Sequence, residues 1–332
     1  MLEVKNIYKS YGEISILENI DFNCKTPELV SILGPSGSGK STILKIIAGL
    51  IPINEGQVVM DGIDLTKMSP EVREIVYISQ EPSLFPHLTV EENLYFGLEI
   101  RRVSKKSASL KISKLIGQLE LDGLEKRLPR ELSGGQRQRV AIGRALAVEP
   151  RVLLMDEPFS SLDMSLRTSM GELIRKIRDT YDISILMVSH DPNEAMAYSD
   201  RMILLRDGRI LQIGTPEQLY KSPKSEKAAS MLGGWGIIPG RFEEKTFHYA
   251  LGSIPNVKKS MFSNGLYYRP EDLCLIPDIA GVPIVLTTRH GREIYYQLKS
   301  DKGILEVKTT DVIPLPIGTR VKLIWRSTIK QD

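Results

Sequence analysis

The sequence predicts an α/β fold in which a mostly parallel sheet is covered on both faces, a helical lobe is inserted between two of its strands, and a small all-β domain follows. Three observations predict it. Short β-branched runs recur between segments of helical spacing, the pattern of strands buried on both faces. One such run leads through a glycine-rich loop into a helix. Beyond residue 235 the helical spacing stops, and strand-like runs punctuated by glycine and proline take over.

The first of these runs, Leu29-Val-Ser-Ile-Leu33, is followed by Gly34-Pro-Ser-Gly-Ser-Gly-Lys-Ser-Thr42 and then by apolar residues at Ile43, Ile47 and Leu50, which is helical spacing. Ile75-Val-Tyr-Ile78 is the next strand. Residues 89–150 break the alternation, because Lys105 to Leu121 and Gln136 to Val148 both read as helices and form the inserted lobe. The scattered lysines of the first make a solvated face. Strands resume at Val152-Leu-Leu-Met155, Ile183-Ser-Ile-Leu-Met-Val188 and Met202-Ile-Leu-Leu205. The pattern changes around Met231-Leu-Gly-Gly-Trp-Gly236, so a first domain over 1–235 and a second over 240–332 are expected.

Composition narrows the function. The 332 residues exceed the usual single core, and 42% hydrophobic with 26% charged residues are ordinary globular values. A formal net charge of +3 is too small to argue for nucleic acid or an anionic membrane surface. Cys24 and Cys274 stand alone, which suggests neither a disulfide framework nor a metal cluster and fits a reducing cytosol. No apolar run is long enough to span a bilayer, and the N-terminus lacks a basic segment followed by an apolar one. The expectation is a chain that neither crosses a membrane nor is exported.

The glycine-rich loop carries the chemistry. Gly34, Gly37 and Gly39 allow backbone conformations closed to other residues, so that consecutive N–H groups, with Pro35, Ser36 and Ser38 between them, converge on phosphate oxygens. The helix beginning near Lys40 adds its positive dipole end. This pattern has Lys40 reaching the β and γ phosphates of a nucleoside triphosphate, the Ser41 hydroxyl ligating Mg²⁺, and Thr42 offering a second hydroxyl.

Further acids and amides gather at strand ends. The run ending at Met155 is followed by Asp156 and Glu157, the first suited to Mg²⁺ and the second to the water that attacks the γ phosphate. An isolated Asp-Glu pair is more often a cap before a helix; the loop at 34–42 reverses that weighting. His190 closes the next strand, where its imidazole can bond the γ phosphate and hold Glu157 and the water. Gln80, after the strand Ile75 to Ile78, can coordinate Mg²⁺ and sense the terminal phosphate. His87, His248 and His290 read as structural or solvated.

These residues, in this order, resemble the ATP-binding cassette ATPases over nearly all of residues 1–233. The likeness rests on Tyr11, the loop at 34–42, Gln80, Leu132-Ser-Gly-Gly-Gln136, Met155-Asp-Glu-Pro158, Ser161-Leu-Asp163 and His190. The resemblance implies that Tyr11 stacks on adenine. It implies too that Ser133, Gly134, Gly135 and Gln136, at the start of a helix, bind the γ phosphate of ATP held on an opposite subunit, with Asp163 communicating across that junction. One cassette per chain then calls for two chains, a homodimer if they are identical.

The segment Gln80-Glu-Pro-Ser-Leu-Phe-Pro-His-Leu-Thr-Val90 resembles the importer version of the loop that contacts a membrane permease. Leu84, Phe85 and Leu88 are the expected contacts, with packing against the helical lobe as the alternative. Tyr267-Tyr-Arg-Pro-Glu-Asp-Leu273 and Gly318-Thr-Arg-Val-Lys-Leu-Ile-Trp325 resemble elements of the small OB-like (TOBE-type) barrel of the maltose, spermidine, sulfate and ferric-iron importer ATPases, and the number of barrels, one or two, stays open. Gly234-Trp-Gly-Ile-Ile-Pro239 and Val285-Leu-Thr-Thr-Arg-His290 are most similar to the ferric-iron group. The resemblance thus implies an ATPase subunit, peripheral on the cytoplasmic face of the cell membrane, powering import of a small solute brought by a binding protein. Ferric iron is the first expectation, with polyamine, sulfate and molybdate as alternatives. A soluble ATP-driven clamp on nucleic acid or ribosomes shares the cassette, but such chains usually carry two cassettes or a long coiled-coil insertion, and neither pattern occurs here.

Overall fold

The computed structural model describes residues 1–160, 162–233, 235–255, 265–300, 303–311 and 313–326. Ser161 and Gly234, both singled out above, lie outside the described residues. The chain divides into two compact units, Met1–Ser222 and Pro223–Asp332, a division that falls ahead of the change of sequence pattern at 235–240.

The first unit opens with β1 (Leu2–Tyr11), β2 (Ile14–Cys24), β3 (Leu29–Leu33), α1 (Lys40–Ile47), β4 (Glu55–Met60), β5 (Ile63–Asp64) and β6 (Ile75–Ile78). Three helices, α2 (Val90–Ile100), α3 (Lys105–Gln118) and α4 (Gly134–Ala147), form the inserted lobe before β7 (Val152–Asp156). Then follow α5 (Met164–Tyr181), β8 (Ser184–Ser189), α6 (Pro192–Tyr198), β9 (Arg201–Arg206), β10 (Arg209–Gly214) and α7 (Pro216–Lys221).

Six strands form the central sheet in the order β10-β9-β3-β8-β7-β6, parallel except for the β9–β10 hairpin at one edge. Every residue of β3, β7 and β8 is buried, which explains why these runs are continuously apolar. Alternate residues feed two different cores, as a period of two requires. Leu153, Met155, Ile185 and Met187 pack with the helices of the lobe and α5. Val152, Leu154, Leu186 and Val188 pack on the other face with Ile43, Leu44, Ile46 and Ile47 of α1. Each fully buried leucine, isoleucine or valine contributes about 1.5–3 kcal/mol.

On that second face the cover is more than helix. A four-stranded antiparallel sheet, β2-β1-β4-β5, contributes Leu2, Val4, Ile7, Leu17, Ile20 and Val58 to the same core. The sequence reading did not foresee this sheet. Its strands alternate buried and exposed positions and carry charged residues on the outer face, a weaker signal than an uninterrupted apolar run.

The second unit begins with α8 (Glu226–Met231) and continues through β11 (Gly236–Glu243), β12 (Thr246–Tyr249), β13 (Gly252–Ile254), β14 (Gly265–Tyr268), β15 (Leu273–His290), β16 (Glu293–Ser300), β17 (Gly303–Thr309) and β18 (Arg320–Trp325). The strands form two four-stranded antiparallel sheets, β13-β12-β11-β14 and β17-β16-β15-β18, around one core, in the manner of a small OB-like domain. Its buried tyrosines find partners. The Tyr268 hydroxyl accepts from Lys308 N at 3.0 Å, and that of Tyr296 from Leu315 N at 3.1 Å. Among the described residues no helix is long and apolar enough to cross a membrane.

Candidate functional site

Parallel pairing brings the carboxyl ends of β3, β6, β7 and β8 to a single edge of the sheet, the edge where α/β folds collect their ligands. Residues 34–42 leave β3 there. The Gly34 position admits no side chain, because a Cβ would lie 2.4 Å from the Leu205 carbonyl oxygen and 2.6 Å from Ser38 Oγ. Gly37 and Gly39 sit at φ 79° and 99°, in the left-handed region that favours glycine. Gly39 is the N-cap of α1 and makes no side-chain cap bond, so the first N–H groups of the helix remain available to an anion. The buried Ser38 Oγ has no hydrogen-bond partner among the described residues, a polar group suited to a phosphate oxygen.

Lys40 is buried, and its ammonium donates to the carbonyls of Gly34 at 2.9 Å and Pro35 at 3.0 Å. Burial holds its pKa below the ordinary lysine value, while the charges of Glu157 and Asp156 oppose that shift. Two of its three donors brace the loop, which leaves one for a ligand. Ser41 and Thr42 are half-buried in the first turn of α1, and Pro35, Ser36 and Gly37 are exposed.

Asp156 ends β7 and is buried. Its Oδ1 accepts from Ser41 Oγ at 2.9 Å, and its Oδ2 accepts from the Tyr77 hydroxyl at 2.9 Å. Glu157 follows with φ 47°, an uncommon conformation for a residue with a side chain, and its N–H donates to the Val188 carbonyl at 3.1 Å. That bend brings the carboxylate between two neighbours. Glu157 Oε2 lies 3.1 Å from His190 Nδ1 and accepts from Gln80 Nε2 at 3.3 Å. Gln80, Glu157 and His190 are therefore one cluster, and Asp156 with Ser41 and Lys40 stands beside it. Hydroxyl, carboxylate and amide oxygens from Ser41, Asp156 and Gln80 are the donor chemistry a hard divalent cation such as Mg²⁺ takes.

Residues 133–136 are not part of that cluster. Among the described residues no hydrogen bond joins them to the loop at 34–42. Ser133 is the N-cap of α4: its Oγ accepts from Gln136 N at 3.3 Å while Gln136 Oε1 accepts from Ser133 N at 2.9 Å, a complete capping box. Gly134 borders an open cleft together with Gln80, Arg137 and Ser160, and Gly135 is buried against Leu162 and Leu166. Asp163 caps α5 by accepting from Leu166 N at 2.9 Å, and this bond, helped by Ser165, lowers its pKa. Tyr11 ends β1 with about half its surface exposed, and Lys9 Nζ lies 4.7 Å from its ring centre.

The loop after Gln80 is built around Asn93, which the sequence reading missed. This buried amide accepts from Phe85 N at 2.9 Å and donates to the carbonyls of Phe85, Leu88 and Thr89. Leu84, Phe85 and Leu88 are half-buried, and Leu84 packs against the core beneath the helical lobe. Phe85 packs against Phe96 with ring centres 4.2 Å apart and planes tilted by 46°, and the Arg144 guanidinium lies 5.2 Å from its ring centre. Tyr77, Ser79, Phe85, Phe96, Ile100 and Arg144 line an open groove of about 540 Å³ at this point. Tyr77 was missed as well, although a tyrosine inside a buried strand signals a hydroxyl that needs a partner.

The ABC transporter family matches residues 17–160. The chain is 40% identical to the Fe(3+) ions import ATP-binding protein FbpC of Vibrio cholerae, over 82% of this chain and 79% of that protein. It is 37% identical to the sulfate/thiosulfate import ATP-binding protein CysA of Bacillus cereus, over 90% of this chain and 87% of that protein. Among solved structures it resembles an ATP-binding cassette in a dimeric post-hydrolysis state bound to ADP and Pi, with a TM-score of 0.59 and 35% identity over 65% of this chain and 99% of that one. A glycine-rich loop, two strand-end acids and a strand-end histidine on one sheet edge, in a chain so closely related to import ATPases, make this protein a member of the ABC transporter family: an ATP-binding, ATP-hydrolysing importer subunit.

Proposed function

We propose that Glu157 is the general base of ATP hydrolysis, held by His190 and Gln80, with Lys40 and the N–H groups of residues 36–42 on the phosphates. The observation that carries this reading is the Glu157 carboxylate bracketed by His190 Nδ1 at 3.1 Å and Gln80 Nε2 at 3.3 Å. Both contacts fall on Oε2, and Oε1 is left to accept a proton from the attacking water. Ser41, Asp156 and Gln80 would hold Mg²⁺, which would supply charge neutralisation to the triphosphate. Tyr11 stacks on the adenine.

Residues 133–136 serve a second copy of the chain. Their capping box orients the start of α4, whose free N–H groups and dipole suit the γ phosphate bound by the partner subunit. Asp163 lies on the same junction. The groove lined by Phe85, Phe96, Ile100 and Arg144 takes an apolar segment of a membrane permease, with Leu84 and Leu88 of the same loop as further contacts, which sets the chain against the cytoplasmic face of the membrane as a peripheral subunit. A solute-binding protein outside the cell delivers the cargo to that permease, and nucleic acid has no part in the cycle.

Ferric iron is the proposed cargo, supported by the 40% identity to the Vibrio cholerae ferric import protein and by the segments 234–239 and 285–290. Sulfate is the second reading, favoured by the 37% identity to the Bacillus cereus protein across a larger share of this chain. Uptake of radiolabelled ferric iron and sulfate in a strain lacking this chain separates the two. Loss of iron uptake alone supports the proposal; loss of sulfate uptake alone replaces it.

A further inference from the structure

We propose that Tyr77 is a positioning residue for Asp156, and through it for the divalent cation that accompanies ATP. The inference rests on the reading of Asp156 as a cation-holding carboxylate. Strands β6 and β7 pair in parallel with Tyr77 opposite Leu154. Residues two apart share a face, so Tyr77, Leu154 and Asp156 all lie on the side of the sheet that α1 covers. Ser41 enters from α1 on that same side.

The carboxylate is therefore held from two directions. The Tyr77 hydroxyl donates to Oδ2 at 2.9 Å, and Ser41 Oγ donates to Oδ1 at 2.9 Å. A carboxylate turns readily about its last torsion, which is broad and two-fold. Anchoring Oδ2 from β6 stops that rotation and presents Oδ1 to Ser41 and the cation. It also satisfies an oxygen of a buried anion that would otherwise stand unpaired, at a desolvation cost. Phenylalanine at 77 would fill the same space in the core; the hydroxyl serves the carboxylate. Partners that orient metal-bound carboxylates typically change metal affinity by about 10–100-fold when removed.

The test uses the full-length protein saturated with a non-hydrolysable ATP analogue and titrated with Mn²⁺, the free ion being read by electron paramagnetic resonance. Tyr77→Phe should weaken Mn²⁺ binding about 10-fold, while affinity for the analogue in EDTA stays at the wild-type value. A purely structural role would lower the melting temperature and leave the Mn²⁺ constant where it was, and that result overturns the proposal. Tyr77→Met supplies the same readout if the phenylalanine variant does not fold. Asp156→Asn is the companion measurement. Wild-type Mn²⁺ affinity in that variant removes Asp156 from the cation site and this inference with it. Weakened binding in Asp156→Asn with none in Tyr77→Phe removes the inference alone.

Discussion

His190 Nδ1 lies 3.1 Å from Glu157 Oε2, and the two residues follow the carboxyl ends of adjacent parallel strands. The contact is set by the sheet. Asp156 pairs with Val188, and the next residue of β7's chain turns to φ 47° so that its N–H still reaches the Val188 carbonyl. The backbone thus holds Glu157 in a conformation that costs of order 1–3 kcal/mol, and the surrounding strands sustain it.

Glu157→Gln keeps the shape and removes the base. Its turnover should fall about 10²–10⁴-fold with ATP affinity retained, and gel filtration with ATP and Mg²⁺ should show a long-lived dimer. Turnover near the wild-type rate would take the base assignment away from Glu157. His190→Ala should lower turnover with less effect on binding, because it removes a support of the carboxylate and leaves the phosphate loop intact.

Lys40→Ala acts on binding itself. The ammonium braces the carbonyls of Gly34 and Pro35 and, in the proposed role, also serves the phosphates, so its loss removes charge-assisted bonds worth about 1.5–3 kcal/mol each. The dissociation constant for ATP, measured by calorimetry without Mg²⁺, should rise about 10-fold or more. An unchanged constant would contradict the role given to this lysine.

Much of this site was legible in the sequence because its residues are tied to local patterns. Strand, glycine loop and helix place Lys40 and Ser41; an apolar run ending in acids places Asp156 and Glu157. Tyr77, Asn93 and Arg73 were not legible, since each acts through a partner distant in sequence or through backbone carbonyls of a loop. The antiparallel sheet of β1, β2, β4 and β5 escaped for a related reason. Its exposed face dilutes the apolar signal, and only tertiary packing against α1 shows what its inner residues bury. Leu84, Phe85 and Leu88, expected on an exposed connection, are half-buried because Asn93 folds the loop back on α2.

Arg73 offers a test of stability apart from catalysis. Its buried guanidinium donates to the carbonyls of Ile46 and Ile47 at the end of α1, and to those of Thr66 and Met68. It thereby satisfies helix-end acceptors and places a cation at the negative end of the dipole. Arg73→Met should destabilise the first unit by about 2–3 kcal/mol, read as a lower urea midpoint. Loss of α1 order would also weaken ATP binding, and added ATP should recover part of the lost stability. A midpoint equal to the wild type would show that water replaces the guanidinium at those carbonyls.

Phe85→Ala tests the groove. The ring packs on Phe96 at 4.2 Å and beneath Arg144, whose burial lowers its pKa and marks a partly desolvated cation. Removing the half-buried ring should cost about 1–2 kcal/mol of stability, with the Gln80–Glu157–His190 cluster left in place. ATP hydrolysis by the isolated chain should therefore continue near the wild-type rate, while the permease that copurifies with the wild type after detergent extraction should be lost. Solute uptake should fall with it at equal protein levels. If the variant still brings down its permease and transports normally, the groove is a packing feature of the helical lobe and the permease docks elsewhere on the chain.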